Sequence, residues 1–362
     1  MSLANLFKIL GQQADFHVVT TDRDLGDSRP FSFLSSHEPP TVNGASVYYL
    51  GSHERSLERI TQAIHDVAPN TIYLNSFFDT RFSARVLLAR RLGHLPAARL
   101  LLAPRGEFSA GALNLKAGRK RAYISTLKAG GFLQGVEWHA STALEAAEIE
   151  GALGPSPGRL IHIAPDLGTM PDTSAFAEWR PRDAGKPLRV CFLSRISPMK
   201  NLAGAVRALA RMKMPAIFTL YGPKEDAAYW AECQSAIRAL PSHITFKDGG
   251  VLTRDQIYGT LAQHDVFFLP TLGENYGHVI PEALSVGLPV IISDRTPWRG
   301  LAAKGVGYDG PLDEGSFAAE LDRLAAADAT AMARMRASCR EYARTILTDP
   351  AAIEANRKLF LS

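Results

Sequence analysis

Residues 271–294 read TLGENYGHVIPEALSVGLPVIISD, and the fold of the second half of the chain turns on them. DVFFLP (265–270) just before and LPVIIS (288–293) inside it are short apolar runs of the kind a buried strand shows. Gly277 stands where a strand end turns into a helix, and Pro281 fits that helix only within its first turn. The helix expected over 278–287 then carries Glu282, while Glu274 stays on the preceding loop. Free N–H groups at such a helix start attract an anion, here with one carboxylate on either side. A ligand with phosphate in its middle and hydroxyls at both ends, laid out like a nucleotide sugar, suits that geometry. Two other readings are a helix cap beside a solvent-facing glutamate, and the paired carboxylates of a glycoside hydrolase. Eight residues along a helix span roughly 12 Å, too far to flank one bond, so the pair suits the two ends of an extended ligand.

The same alternation of strand and helix runs through the chain. Around that segment, strands are expected at LRVCFLS (188–194), AIFTLYG (216–222) and HITFKDG (243–249), with helices near 201–212, 226–240 and 254–263. Ala- and Arg-rich helices close the chain from about 314 to 361. The first half offers FHVVTT (16–21), ASVYYL (45–50), TIYLN (71–75), RLLLAP (99–104), VEWHAS (136–141) and RLIHIA (159–164) as strands. Its helices are expected near 54–67, 79–93, 110–129 and 143–151. The pattern is α/β: two doubly wound Rossmann-like domains, with the cleft between them as the default ligand site. Their expected limits are 1–165 and 188–345, joined by a Pro-rich linker at 166–187 and followed by a C-terminal helix at 346–362 that could pack back on the first domain. A doubly wound domain normally opens on a strand and a Gly-rich turn. This chain opens on an apparent helix, SLANLFKILGQ, so the first strand is expected to be missing or the domain atypical.

Arg195 and Lys200 flank a Ser-Pro turn just beyond LRVCFLS, at the strand edge where ligands gather in open α/β sheets. Two cations there would neutralise a diphosphate and stabilise it as a leaving group. In the first half, Arg105-Gly106-Glu107 follows a strand in the same way: Arg105 is a candidate for a donor phosphate or an acceptor, Glu107 for an acceptor hydroxyl. A surface Arg–Glu pair is the competing reading. Lys116, Arg119 and Lys120, spaced to share one helix face, make 113–128 a basic amphipathic stretch. It is a candidate peripheral contact with an anionic membrane or a lipid diphosphate, against an ordinary solvated face. His139 and His162 read as core or strand-edge residues, and Trp298 as a packing anchor.

Composition sets the outer limits. A hydrophobic content of 46% and a net charge of +4 describe an ordinary globular protein and give no argument for nucleic acid. Cys191, Cys233 and Cys339 are odd in number and lack metal-ligand spacing, so they read as reduced thiols. With no run of 18 apolar residues and no signal-peptide pattern, the expected location is cytoplasmic, at the inner face of the membrane if the basic stretch binds there.

SRISPMKN (194–201), FFLPTLGENYGHVIPEALSVGLPVIISD (267–294) and RTPWRGL (295–301) together resemble the C-terminal domain of retaining GT-B glycosyltransferases with the E-x7-E signature, of the bacterial group 1 type. The resemblance is close over about 188–310 and reaches LLAPRGEFSAGAL (101–113) and WHASTALEAAEI (138–149). It implies sugar transfer from a nucleotide-diphosphate donor to the hydroxyl of a glycan or lipid-linked glycan, with retention, in a role such as polysaccharide or cell-envelope biosynthesis. On this resemblance Arg195 and Lys200 bind the donor diphosphate, Glu274 the sugar hydroxyls and Glu282 the ribose. The backbone of Asn275, Tyr276, Gly277, His278 and Val279 meets sugar and phosphate, and Gly222, Gly249, Gly250 and Val251 line the nucleotide pocket. It implies no cofactor and no metal, the basic pair taking a divalent cation's role. Relatives often carry a histidine in the N-terminal cleft, where this chain has Pro104-Arg105-Gly106-Glu107. The alternatives are a relative that binds nucleotide sugar without transferring it, and an epimerase or phosphorylase on the same fold. A phosphorylase would need a pyridoxal lysine site that the sequence does not offer.

Overall fold

The computed structural model describes residues 2–23, 29–31, 40–114, 116–172, 174, 176, 179–183 and 185–361. They form two units, 1–167 with 350–362, and 168–349. The first unit runs α1 (Ser2–Leu10), β1 (His17–Thr21), β2 (Thr41–Val42), β3 (Ala45–Leu50), α2 (Leu57–Val67), β4 (Thr71–Asn75), α3 (Ser83–Arg91) and β5 (Arg99–Ala103). It continues through α4 (Ala110–Asn114), α5 (Ala117–Ala129), β6 (Val136–Ala140), α6 (Ala143–Leu153) and β7 (Ile161–Ile163). Its strands fall into two sheets where one was expected: β1-β3-β2, and the all-parallel β4-β5-β6-β7. The C-terminal helix lies against both, because the Phe360 ring meets Phe16 beside β1 at 6.3 Å and Tyr73 in β4 at 5.1 Å.

The helix expected over 110–129 is broken. Lys116 takes a left-handed conformation (φ 58°), and the chain restarts as α5 at Ala117. Lys120 then folds inward, donating to the Ala112 carbonyl at 2.7 Å with its ammonium 4.9 Å from the Phe78 ring centre. The expected basic face is corrected accordingly: Lys116, Arg119, Arg121 and Lys128 are exposed and Lys120 is not among them. Leu115 lies outside the described residues.

The second unit comprises β8 (Leu188–Leu193), α7 (Leu202–Ala210), β9 (Ala216–Tyr221), α8 (Ala227–Arg238), β10 (Ile244–Asp248), α9 (Arg254–Ala262) and β11 (Val266–Leu269). After these come α10 (Val279–Ser285), β12 (Val290–Ser293), β13 (Gly307–Gly310), α11 (Glu314–Ala326) and α12 (Ala329–Leu347), and α13 (Pro350–Leu361) returns to the first unit. All six strands are parallel, in the order β10-β9-β8-β11-β12-β13. Every residue of β11 and β12 is buried, which is why these runs are apolar without alternation. The order reverses between β8 and β11, so the connections leaving their carboxyl ends depart to opposite sides and open a crevice at that edge. Arg195 and Lys200 follow β8, and Glu274 follows β11.

The segment before β8 is anchored to this unit. Asp265, fully buried, accepts from the Trp179 indole at 3.0 Å and from the Arg189 backbone and guanidinium, with Arg182 at 3.3 Å. Removing one partner of a buried ion pair leaves the other charges uncompensated. We therefore expect Asp265→Ala to lower the stability of the second unit by about 3–5 kcal/mol, read as an earlier transition in urea denaturation. A change below about 1 kcal/mol would mean that water replaces the carboxylate there.

Candidate functional site

Five connections meet at the carboxyl edge of the second sheet, after β8, β9, β10, β11 and β12. Backbone geometry brings the first three together. Gly222 takes a φ of +134° and donates to the Gly250 carbonyl at 2.8 Å, while a Cβ on it would stand 1.8 Å from the Ser194 carbonyl oxygen. No other residue fits that approach without moving the turn after β8. Gly250 has a φ of +73°, and Val251 beside it is 67% exposed, a large apolar side chain at the carboxyl edge of the sheet.

The turn after β8 is a single 3-10 turn over Pro198–Lys200, closed by Asn201. The Asn201 side chain donates to the Pro270 carbonyl at 2.9 Å, and Leu272 N–H donates to the Met199 carbonyl at 2.8 Å. The two loops at the switch point are thereby tied, and the tie sets Lys200 against Glu274 in a direct ion pair. The side chains of this pair are 19% and 10% exposed. Arg195 is exposed at the same turn.

Beyond Glu274, Gly277 turns the chain at a φ of +72° and Ile280 N–H closes onto its carbonyl at 2.8 Å, starting α10. Glu282 lies in the first turn of α10, with Pro281 before it inside the same turn, as expected from the sequence. The Glu282 Oε2 atom is buried with no hydrogen-bond partner. Burial pushes its carboxyl up to about 7, against a smaller opposing pull from Arg254. Its charge in turn acts on Tyr258, so α9 supplies two neighbours, Arg254 and Tyr258, that sequence reading missed. Their position in the first two turns of a helix that follows the Gly249-Gly250-Val251 turn was the available signal. An unsatisfied carboxyl beside a helix start is the chemistry of a group awaiting hydroxyl donors.

The loop after β12 forms a wall behind the Glu274 loop. Glu274 N–H donates to the Arg295 carbonyl at 2.9 Å, and the Ser293 hydroxyl donates to the Thr271 carbonyl at 2.5 Å. The indole N–H of Trp298 donates to the Tyr276 carbonyl at 2.5 Å, its ring edge-on to Tyr276 at 5.3 Å. Asn275, His278 and Val279 complete the expected donor stretch, the His278 ring tilted against Tyr276 with centroids 4.9 Å apart.

In the first unit, Arg105 and Gly106 sit at the carboxyl end of β5, both with positive φ. Arg105 donates to Asn75 at 2.7 Å and to the Tyr73 hydroxyl at 2.8 Å, and pairs with Asp166. Gly106 N–H donates to the buried Glu145. Glu107 accepts from the Ser76 hydroxyl at 2.7 Å and the Phe77 N–H at 2.6 Å. These groups are thus engaged within the unit, holding the loop after β4, and the surface-pair alternative does not describe them. His139 is 2% exposed, and burial brings its pKa down to about 4. Neutral, it donates from Nε2 to the Ala164 carbonyl and accepts the Tyr73 hydroxyl at Nδ1, each at 2.8 Å.

Among the described residues no three His, Cys, Asp or Glu side chains converge as metal ligands. An Asp-x-Asp triplet does occur at Asp22-Arg23-Asp24; Asp22 is paired with Arg23, and Asp24 lies outside the described residues. No described helix is long and apolar enough to cross a membrane.

Residues 176–346 match the Glycosyl transferases group 1 family, nearly the whole of the second unit and beginning at the anchored segment before β8. No curated protein matches the sequence. Among solved structures, the chain is similar to Anabaena HepE in complex with UDP-glucose, at 16% identity and a TM-score of 0.69, covering 99% of this chain and 94% of that one. It is similar to sucrose-phosphate synthase from Thermosynechococcus elongatus at 18% identity and 0.69, covering 98% and 91%. A glycosyltransferase from Rickettsia africae aligns at 12% identity and 0.67, covering 99% and 93%. At these identities the likeness is one of fold, and the fold is GT-B with two Rossmann-like units.

Proposed function

We propose that the second unit binds a nucleotide-diphosphate sugar at its carboxyl edge and that the chain transfers the sugar, with retention, to a hydroxyl of a glycan or lipid-linked glycan. The observation carrying this reading is the buried, unpartnered Oε2 atom of Glu282 on the same sheet edge as Arg195, Lys200 and Glu274. Ribose hydroxyls would satisfy Glu282, the diphosphate would take Arg195 and Lys200, and the sugar hydroxyls would take Glu274. The family match over 176–346 and a fold neighbour holding UDP-glucose support the assignment. In the transfer, the bond from the sugar's anomeric carbon to the diphosphate breaks and the electron pair leaves with the diphosphate. The acceptor oxygen forms the new bond, and its proton is taken up by the departing phosphate. Arg195 and Lys200 stabilise the charge that develops there, so neither a metal nor a separate protein acid is required. We place the acceptor with the first unit, in the cytoplasm at the membrane's inner face, where Lys116, Arg119, Arg121 and Lys128 would meet anionic headgroups.

Titration calorimetry with UDP-, GDP- and ADP-sugars tests the site. We expect one nucleotide class to bind, Glu282→Ala to weaken the nucleotide itself, and Glu274→Ala to retain the nucleotide while losing discrimination among sugars. Equal binding by both variants and the parent would defeat the assignment. A second reading, donor binding without transfer, is favoured by the internal engagement of Arg105 and Glu107. It predicts donor binding with no release of nucleoside diphosphate.

A further inference from the structure

We infer that Trp298 is a positioning residue for the donor sugar, holding the Glu274–Gly277 loop in its sugar-facing conformation; this rests on the donor-site reading above. Trp298 is 7% exposed and belongs to a different connection from every residue assigned to the ligand except through the loop it supports. Its indole N–H reaches the Tyr276 carbonyl, on the Glu274 side of the stretch whose backbone would meet sugar and phosphate, next to the carboxylate proposed for the sugar hydroxyls. Its own backbone is set by Thr296, whose hydroxyl accepts from Trp298 N–H at 3.2 Å, so the ring is held from behind. Two further bonds, from Glu274 N–H to Arg295 and from Ser293 to Thr271, join the same two loops, but both lie nearer the end of β11. Trp298 alone among these contacts braces the distal part, between Glu274 and the left-handed turn at Gly277. Of the groups proposed for the nucleotide, Glu282 sits on α10 and Arg195 and Lys200 follow β8 in the turn that Asn201 ties to Pro270, so only the Lys200–Glu274 pair links them to the braced loop. Losing the indole bond therefore separates sugar recognition from nucleotide recognition.

The test is Trp298→Phe, which keeps a buried aromatic ring and removes the N–H donor. The probes are UDP-glucose and UDP, together with GDP- and ADP-glucose and their nucleoside diphosphates, measured by calorimetry on the full chain. We expect affinity for the bound nucleotide sugar to fall about tenfold, a single lost hydrogen bond's worth, while affinity for its nucleoside diphosphate changes less than threefold. Amide hydrogen exchange within 274–278 should quicken while β11 and β12 stay protected, which a purely packing role would not produce. Equal loss for sugar and nucleoside diphosphate, or an unchanged sugar preference, would overturn the inference while leaving the donor site standing. If none of the probes binds even the parent, the donor reading falls and the inference with it.

Discussion

Lys200→Ala should lower turnover of the nucleotide sugar by about 10²–10³-fold at saturating donor, the loss typical of removing one preorganised group from a developing anion. The geometry explains why the effect is large. Lys200 is mostly buried, tied to the switch-point edge by the Asn201 and Leu272 contacts, and paired with Glu274 before any ligand arrives. In the transfer proposed above the ammonium meets the diphosphate as charge develops on it, in a setting where water cannot substitute fully. The variant also leaves Glu274 without its cation, so donor affinity should fall along with turnover. Release of nucleoside diphosphate in a coupled assay measures both. Turnover within threefold of the parent would assign the leaving-group charge to Arg195 alone.

Glu282→Gln should make the protein more stable at alkaline pH and a poorer binder of nucleotide. Burial raises the Glu282 carboxyl from its ordinary 4.5 to about 7. A group whose pKa is raised by folding contributes stability that is fully present below the unfolded value and lost as pH climbs through the folded one. The parent therefore loses stability between about pH 4.5 and 7, by roughly 3 kcal/mol at about 1.4 kcal/mol per unit. Glutamine carries no charge and escapes that loss, so the two proteins should match near pH 4.5, diverge between about pH 4.5 and 7, and stay apart by a constant margin above it. Nucleotide binding moves the other way. Ribose hydroxyls donate best to a carboxylate, and bonds to charged groups contribute about 1.5–3 kcal/mol, so the variant should bind about 10–100-fold more weakly. The parent's own affinity should fall as pH drops below about 7, where Glu282 takes up a proton. Urea denaturation from pH 5 to 8.5, beside calorimetry at each pH, reads both trends. Parallel stability curves for the two proteins would show that Glu282 does not titrate in this window.

The opposed signs express a common trade: a site left unsatisfied for its ligand is a local cost to the fold. The same logic separates the halves of this molecule. In the second unit the buried Glu282 Oε2 atom lacks a partner at the carboxyl edge of the sheet, whereas in the first Arg105, Glu107, Glu145 and His139 have theirs within the unit.

Much of this was legible in the chain. Apolar runs without alternation announced β11 and β12 because a parallel strand is buried on both faces. Pro281 placed the start of α10, since proline is tolerated only where its N–H has no helical partner. Spacing put Arg195 and Lys200 after one strand and Glu274 and Glu282 after another, and the parallel order carried all of them to one edge. What the sequence could not decide are contacts between residues far apart along it. The left-handed break at Lys116, the division of the first unit's strands into two sheets, and the Lys200–Glu274 pair are of that kind. So are the Arg105 hub and the grip of Trp298 on Tyr276. Local propensity and periodicity act within a few residues, so they determine elements and the edge where loops emerge. Which donor meets which acceptor across that edge is set by how the elements pack, and only the tertiary structure decides it.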